Sequence, residues 1–367
     1  MKTYVIIALL AVLLGVVVYP LWVPKLDPLT NVIHIALSMK EKFYKMTHHI
    51  DDHELHLIGD VRKEFENLPM GFITEMKTVH NINITASAGH EIPLHMYVPH
   101  SCVDSCPVVI FLHGGGFVLG SPSVYQPVTT KIADLSGAIV VAVDYRKAPE
   151  FKFPAGPNDC IEAARWVHDN IGTLPAAAGL ADVSKMAIGG DSAGGNLAAI
   201  VTNALAGSGI IKLSLLVYPV VTHGGLIHSF SRSKLQHSDA PILTANKIAW
   251  FSRQYFNSLA DLVPVTHPLA CALCYEDFHS SSGSELTAES FPRIHVMTAE
   301  IDPLVEEGRI YRDHMQGLQQ RVGAGDKITY KEYMNTVHGF FGIPFFPHGT
   351  EAVQDFAMLV KSHFEGH

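Results

Sequence analysis

Four short stretches of this chain hold side chains that together could carry out acyl transfer. Gly190-Asp191-Ser192-Ala193-Gly194 sets a serine between glycines. In a G-x-S-x-G arrangement the glycines permit a cramped turn from strand into helix, which lifts the serine Oγ clear of the backbone. The setting fits, because the stretch follows the apolar run Met186–Ile188 and opens the helical pattern Asn196–Leu205. A helix starting there would also aim its first amides at the serine, with that of Ala193 among them.

His113-Gly114-Gly115-Gly116-Phe117 comes directly after the apolar run Val108–Leu112. Successive glycines let backbone approach a ligand closely and turn N–H groups toward it. Acyl transfer passes through a tetrahedral oxyanion, and each well-placed donor to it contributes about 3 kcal/mol in the transition state. This loop is therefore the expected oxyanion loop, with His113 and Gly114 at its root.

A serine hydroxyl is a weak nucleophile at neutral pH. It needs a base, and the base needs an acid to orient it. Asp302 follows the expected strand Ile294–Thr298, and His338 lies after the last expected strand, Ile328–Tyr333. Both are expected at the carboxyl ends of strands, on the rim that holds Ser192, and the order Ser, Asp, His suits a sheet of this kind. Glu300 lies two residues from Asp302 and competes for the acid role. Asp191, adjacent to the nucleophile, is expected to act structurally or electrostatically. With 22 histidines in the chain, position rather than residue type singles out His338.

The elements around these residues read as an α/β domain. The short runs Val108–Leu112, Ala138–Val143, Met186–Ile188, Leu213–Tyr218, Ile294–Thr298 and Ile328–Tyr333 are rich in Val, Ile and Leu and bounded by Gly or Pro, and runs that are apolar without alternation suit strands covered on both faces. Helical patterns such as Asp159–Asn170 lie between them, giving right-handed crossovers. A hairpin, Glu75–Thr85 and Ile92–Tyr97 with Gly89 in its turn, brings the expected sheet to eight mostly parallel strands, with helices on both faces. Residues from about 222 to 290 break the alternation. They contain the helical segment Ala245–Tyr255 and a serine-rich loop at Ser280–Ser284. With the helical patterns of residues 25–70, this insertion is expected to cap the carboxyl ends of the strands. The catalytic domain would span residues 71–367.

Residues 1–24 differ in kind. Tyr4 to Tyr19 is an almost unbroken apolar run, bracketed by Lys2 and Lys25. Roughly 20 helical residues cross a hydrocarbon core of about 30 Å, and Tyr19 and Trp22 are interfacial types. An uncleaved membrane anchor is expected, because Tyr19-Pro20-Leu21-Trp22 lacks the small residues of a signal cleavage site; a secreted chain is the alternative. Either places the domain outside the cytosol. Asn83-Ile84-Thr85 is then a glycosylation sequon, and Cys102, Cys106, Cys160, Cys271 and Cys274 could form up to two disulfides. The net charge of −9 argues against a nucleic-acid partner. His49, His53 and His56, near Asp52, have helical spacing that a metal could use. They read instead as a solvated cap helix, since the chemistry above calls for no metal and no cofactor.

The motifs HGGGF, Tyr145-Arg146-Lys147-Ala148-Pro149-Glu150, GDSAGG, Asp302-Pro303-Leu304 and His338-Gly339-Phe340 occur in that order. Together they resemble the hormone-sensitive-lipase family of α/β-hydrolases over about residues 107 to 345. The resemblance implies an α/β-hydrolase fold and a triad of Ser192, His338 and Asp302. It further implies oxyanion donors at Gly115, Gly116 and Ala193, and a supporting place for Glu150 near the site. With its N-terminal anchor, the chain is similar to the arylacetamide deacetylase and neutral cholesterol ester hydrolase branch. That similarity implies a small hydrophobic ester as substrate, arylacetamides as a further class, and a lumenal catalytic domain in the endoplasmic reticulum membrane. The plant gibberellin receptor, a non-catalytic binder, resembles the same family but lacks the histidine that this chain has at position 338.

Overall fold

The computed structural model describes residues 58–67, 70–221, 233, 236–256, 267–273 and 286–365. The expected anchor over residues 1–24, the histidines at 49, 53 and 56, Cys274 and the serine-rich loop at 280–284 lie outside the described residues. So does most of the expected cap segment 25–70. Among the described residues no helix is long and apolar enough to cross a membrane, and no cluster of metal-ligating side chains occurs.

The domain is built on one sheet of eight strands in the order β1-β2-β4-β3-β5-β6-β7-β8. The strands are β1 (Thr78–Thr85), β2 (Glu91–Val98), β3 (Cys106–Leu112), β4 (Ile139–Val143), β5 (Ala181–Asp191), β6 (Leu213–Val217), β7 (Arg293–Ile301) and β8 (Ile328–Val337). Strands β3 to β8 pair in parallel. The β1–β2 hairpin is antiparallel and joins them through β2 and β4. The hairpin begins at Thr78 rather than at Glu75, and β5, β7 and β8 run beyond their expected spans to carry the site residues to the rim.

Seven α-helices, α1 (Ile58–Glu66), α2 (Gln126–Ser136), α3 (Ala155–Asn170), α4 (Ala193–Ala204), α5 (Ala245–Tyr255), α6 (Val305–Arg321) and α7 (Gly349–Glu365), and a short 3-10 helix at Ile171–Thr173 are found among the described residues. Alternate residues of β3 feed opposite cores. Val108, Ile110 and Leu112 pack with residues of α3, α4 and α6; Val109 and Phe111 pack with residues of α2 and α7. Strand side chains alternate between faces, so a strand covered on both sides must be apolar throughout. That is the pattern read in the sequence.

Of the expected cap, α1 and α5 are described, and among the described residues of 222–290 there is no strand. Cys102 and Cys106 form a disulfide across the turn between β2 and β3. Asn83 is exposed on β1, where its Nδ2 donates to Glu91 at 3.0 Å.

Candidate active site

The turn that carries Ser192 begins with Gly190 and Asp191 at the end of β5. Ser192 has φ 55° and ψ −117°, a region side chains rarely occupy, and the surrounding backbone dictates it. The Ser192 amide donates to Val217 at 2.9 Å. A Cβ at Gly190 would fall 2.1 Å from the Leu112 carbonyl oxygen, and one at Gly194 would fall 1.9 Å from the same atom. Both glycines are thus required by how closely β3 passes the turn, beyond any conformational preference.

His338 Nε2 lies 2.9 Å from Ser192 Oγ, and its Nδ1 lies 2.7 Å from Asp302 Oδ2. Asp302 has no solvent exposure. Its other oxygen accepts from the Leu304 amide at 2.8 Å, which fixes the carboxylate plane. With Oδ2 facing Nδ1–H, the imidazole presents a lone pair to the serine. Glu300, the competing acid, instead accepts from the Asn335 amide at 2.9 Å. The Tyr218 ring packs against the imidazole of His338 with centroids 4.5 Å apart.

The glycine loop stands beside this group. Gly115, Gly116 and Phe117 have φ of 115°, 62° and 64°, three successive residues in the left-handed region. The Gly115 carbonyl accepts from Val118 and Leu119. Among the described residues the amides of Gly115 and Gly116 make no hydrogen bond, and Ala193, as the first residue of α4, has an amide without an intrahelical acceptor. The Phe251 ring of α5 covers the loop: a Cβ at Gly116 would fall 2.3 Å from it. The Phe117 ring stacks on Tyr255 of the same helix at 4.1 Å.

His113 is buried and stacks on Tyr145 at 4.4 Å. Burial pushes its pKa down to about 3, so its ring is neutral, with Nδ1–H donating to the Gly114 carbonyl. It is a fixed post under the loop, not a base. Burial raises Asp191 to about 6, against hydrogen bonds from Tyr125 and the Gly114 amide. Burial, reinforced by the Asp191 charge, holds the Tyr125 and Tyr218 phenols well above their ordinary range, so both stay protonated and donate to Asp191. No motif or spacing marks these two tyrosines, or Arg62, as part of the site's support. Their partners lie 27 to 88 residues away along the chain.

This arrangement of base, hydroxyl and free amides on a parallel sheet defines a class. Residues 109–342 match the model of the alpha/beta hydrolase fold family. The chain belongs to that family, in its hormone-sensitive-lipase and carboxylesterase-like group.

Relatives agree with the class. A carboxylesterase, NlhH, of Mycobacterium tuberculosis is 32% identical over 68% of this chain and 71% of its own length. Esterase LipI of the same organism is 31% identical over 78% of this chain and 82% of its own. Among solved structures, an esterase from Pyrobaculum calidifontis superposes with a TM-score of 0.73 at 33% identity, covering 92% of this chain and 99% of that one. An ester hydrolase from a Lake Arreo metagenome, solved with a derivative of bipyridine phosphonate, gives 0.76 at 29% identity, covering 93% and 99%.

Proposed function

We propose that this chain hydrolyses hydrophobic carboxylic esters through an acyl-enzyme on Ser192, with arylacetamides as a further substrate class. One observation carries the reading: a single imidazole bridges the serine hydroxyl at 2.9 Å and a buried carboxylate at 2.7 Å. Both distances are within direct proton-transfer reach. As Oγ attacks the ester carbonyl, His338 Nε2 takes its proton, and Asp302 steadies the imidazolium that forms. The carbonyl oxygen becomes an oxyanion facing the amides of Gly115, Gly116 and Ala193. Collapse expels the alkoxide, which receives the proton from His338. Water, deprotonated by the same imidazole, then releases the acid.

The test pairs labelling with turnover. An organophosphonate probe is expected to label the wild type and not Ser192→Ala, and p-nitrophenyl esters of rising acyl length, with an aryl acetamide beside them, are expected to report the substrate preference. Equal labelling of both proteins, or of neither, would favour the non-catalytic receptor reading.

For cellular placement we propose a single-pass anchor within residues 1–24, with the catalytic domain in the lumen of the endoplasmic reticulum. The apolar run flanked by Lys2 and Lys25 supports this. So does the Cys102–Cys106 disulfide, since such bonds persist in oxidising compartments, and so does the exposure of Asn83. Glycosidase sensitivity lost in Asn83→Gln, with resistance to carbonate extraction, is the expected result.

A further inference from the structure

The loop Gly115–Phe117 holds three consecutive left-handed residues. Glycine adopts such values freely, but Phe117 is held there only where its surroundings over-determine it. From the sheet side, the Gly114 amide is held by Asp191 and the Phe117 carbonyl by the Ala148 amide at 2.9 Å. From α5, Tyr255 stacks on the Phe117 ring. One further restraint comes from helix α1.

Arg62 Nε donates to the Val118 carbonyl at 2.9 Å, and its Nη2 donates to the Ala148 carbonyl at 2.8 Å. The guanidinium also meets both oxygens of Glu150 at 2.7 Å. Val118 and Ala148 are fully buried. Arg62 therefore joins the end of the glycine loop to the turn that also grips Phe117, and Glu150 turns the guanidinium so that both carbonyls are reached. A lysine has one nitrogen and cannot span these acceptors as the planar fork does.

We propose that Arg62 is a positioning residue: from the helix preceding the hydrolase domain, it latches the Val118 and Ala148 carbonyls together and so keeps the Gly115 and Gly116 amides turned toward the oxyanion. Glu150 is the counter-ion that orients the latch. This rests on the ester-hydrolase reading for its chemical consequence, though not for its structural one.

The experiment compares Arg62→Met, Arg62→Lys and Glu150→Gln with the wild type in the full chain. Met keeps the apolar stem and removes every hydrogen bond. The first measurement is kcat and KM for p-nitrophenyl butyrate beside Ki for an alkyl trifluoromethyl ketone. Ser192 Oγ adds to that ketone's carbonyl, the carbonyl electron pair becomes an oxyanion in the loop, and the serine proton passes to His338. The second is hydrogen exchange of the peptide covering residues 113–120.

A misplaced catalytic group costs up to about 100-fold, so Arg62→Met is expected to lose about 10- to 100-fold in kcat with KM within about twofold. Ki is expected to rise by the same factor and exchange over 113–120 to quicken, with Arg62→Lys intermediate and Glu150→Gln mildest. A smaller folded fraction lowers the apparent kcat but cannot change Ki. A wild-type Ki together with unchanged exchange would therefore overturn the latch, whatever happens to kcat. If Arg62→Met yields no folded protein, Arg62→Lys is decided by the same two measurements. Wild-type protein inactive on every ester would defeat the ester-hydrolase reading alone, and the exchange comparison would still decide the latch.

Discussion

The carboxylate of Asp191 accepts a hydrogen bond from the Gly114 amide at 2.9 Å, so the residue beside Ser192 holds the root of the glycine loop. Its second oxygen accepts from Tyr125 at 3.0 Å and from Tyr218 at 3.3 Å. A Cβ at Gly114 would fall 2.5 Å from that oxygen, so only glycine allows the approach. The turn after β5 and the loop after β3 are thereby joined through one buried acid, and Tyr218 extends the connection to the ring of His338.

Burial lifts Asp191 from 3.8 to about 6, which makes stability depend on pH with a definite sign. The unfolded chain releases this proton near pH 4 and the folded chain near pH 6, so between those values the folded state holds more protons and stability falls as pH rises. The contribution is fully present below pH 4 and gone above pH 6, a change of about 3 kcal/mol. Asp191→Asn removes it. In urea unfolding, the stability of the wild type minus that of Asp191→Asn is expected to decrease by up to about 3 kcal/mol from pH 4 to pH 7. A constant difference over that range would refute the assignment.

Ser192 is held in a strained backbone conformation, and such residues cost about 1–3 kcal/mol each. Glycine relieves the strain but frees the unfolded chain by about 0.4–1 kcal/mol. Ser192→Gly is therefore expected to be more stable than the wild type by about 1 kcal/mol and to hydrolyse no ester. Ser192→Ala, inactive with the strain retained, is expected to lack that gain. Chemical denaturation of the three proteins checks this.

The inner parallel strands β3 to β6 were legible in the sequence because their sheet-centre segments are covered on both faces and so read as plain apolar runs, whereas the edge strand β8 carries Thr329, Lys331 and Glu332 and is only partly covered. Val108–Leu112 and Leu213–Tyr218 sit within a residue or two of their observed bounds. The rim residues followed from the expected strands, since Ser192, Asp302 and His338 each come just after one. Helices α2 and α7 were not picked out. Gln126–Ser136 carries three threonine or serine side chains on its buried side, Thr129, Thr130 and Ser136, which blurs an apolar stripe. The network of Asp191, Tyr125 and Tyr218 and the latch at Arg62 stayed hidden because only the fold brings those side chains together. Disulfide pairing was likewise open among the cysteines until Cys102 and Cys106 were placed across one short turn.

Asp302 and Glu300 make opposite predictions about the base. In Asp302→Asn, the amide oxygen keeps the Leu304 amide as donor, and the new NH2 group faces His338 Nδ1. That nitrogen must then accept, which moves the proton to Nε2 and removes the lone pair that Ser192 needs. Loss of the orienting acid in a triad costs about 10,000-fold in kcat, and Asp302→Asn is expected to approach that figure. Glu300 contacts the Asn335 amide instead, so Glu300→Gln is expected to stay within about threefold of the wild type, since a charge removed away from the reacting atoms changes no transition-state contact. Steady-state kinetics on one p-nitrophenyl ester decides both.

The glycines of the two motifs should differ in whether a second mutation can rescue them. At Gly194 an added Cβ meets backbone, the Leu112 carbonyl oxygen at 1.9 Å and that of His113 at 2.6 Å. Neither can yield without moving β3, so Gly194→Ala is expected to lose on the order of 4 kcal/mol or more. At Gly116 the obstacle is the Phe251 ring, 2.3 Å from the added Cβ, and a side chain on α5 can be cut away. Gly116→Ala alone is expected to lower both stability and kcat, because the ring must move off the loop. In the double variant with Phe251→Ala, the steric part disappears and only the left-handed backbone at φ 62° still opposes alanine, a residual of about 1–2 kcal/mol. A double-mutant cycle in stability and kcat is therefore expected to show coupling of about 1 kcal/mol or more between residues 116 and 251, whereas strict additivity would mean that the ring of Phe251 does not rest on the loop in solution.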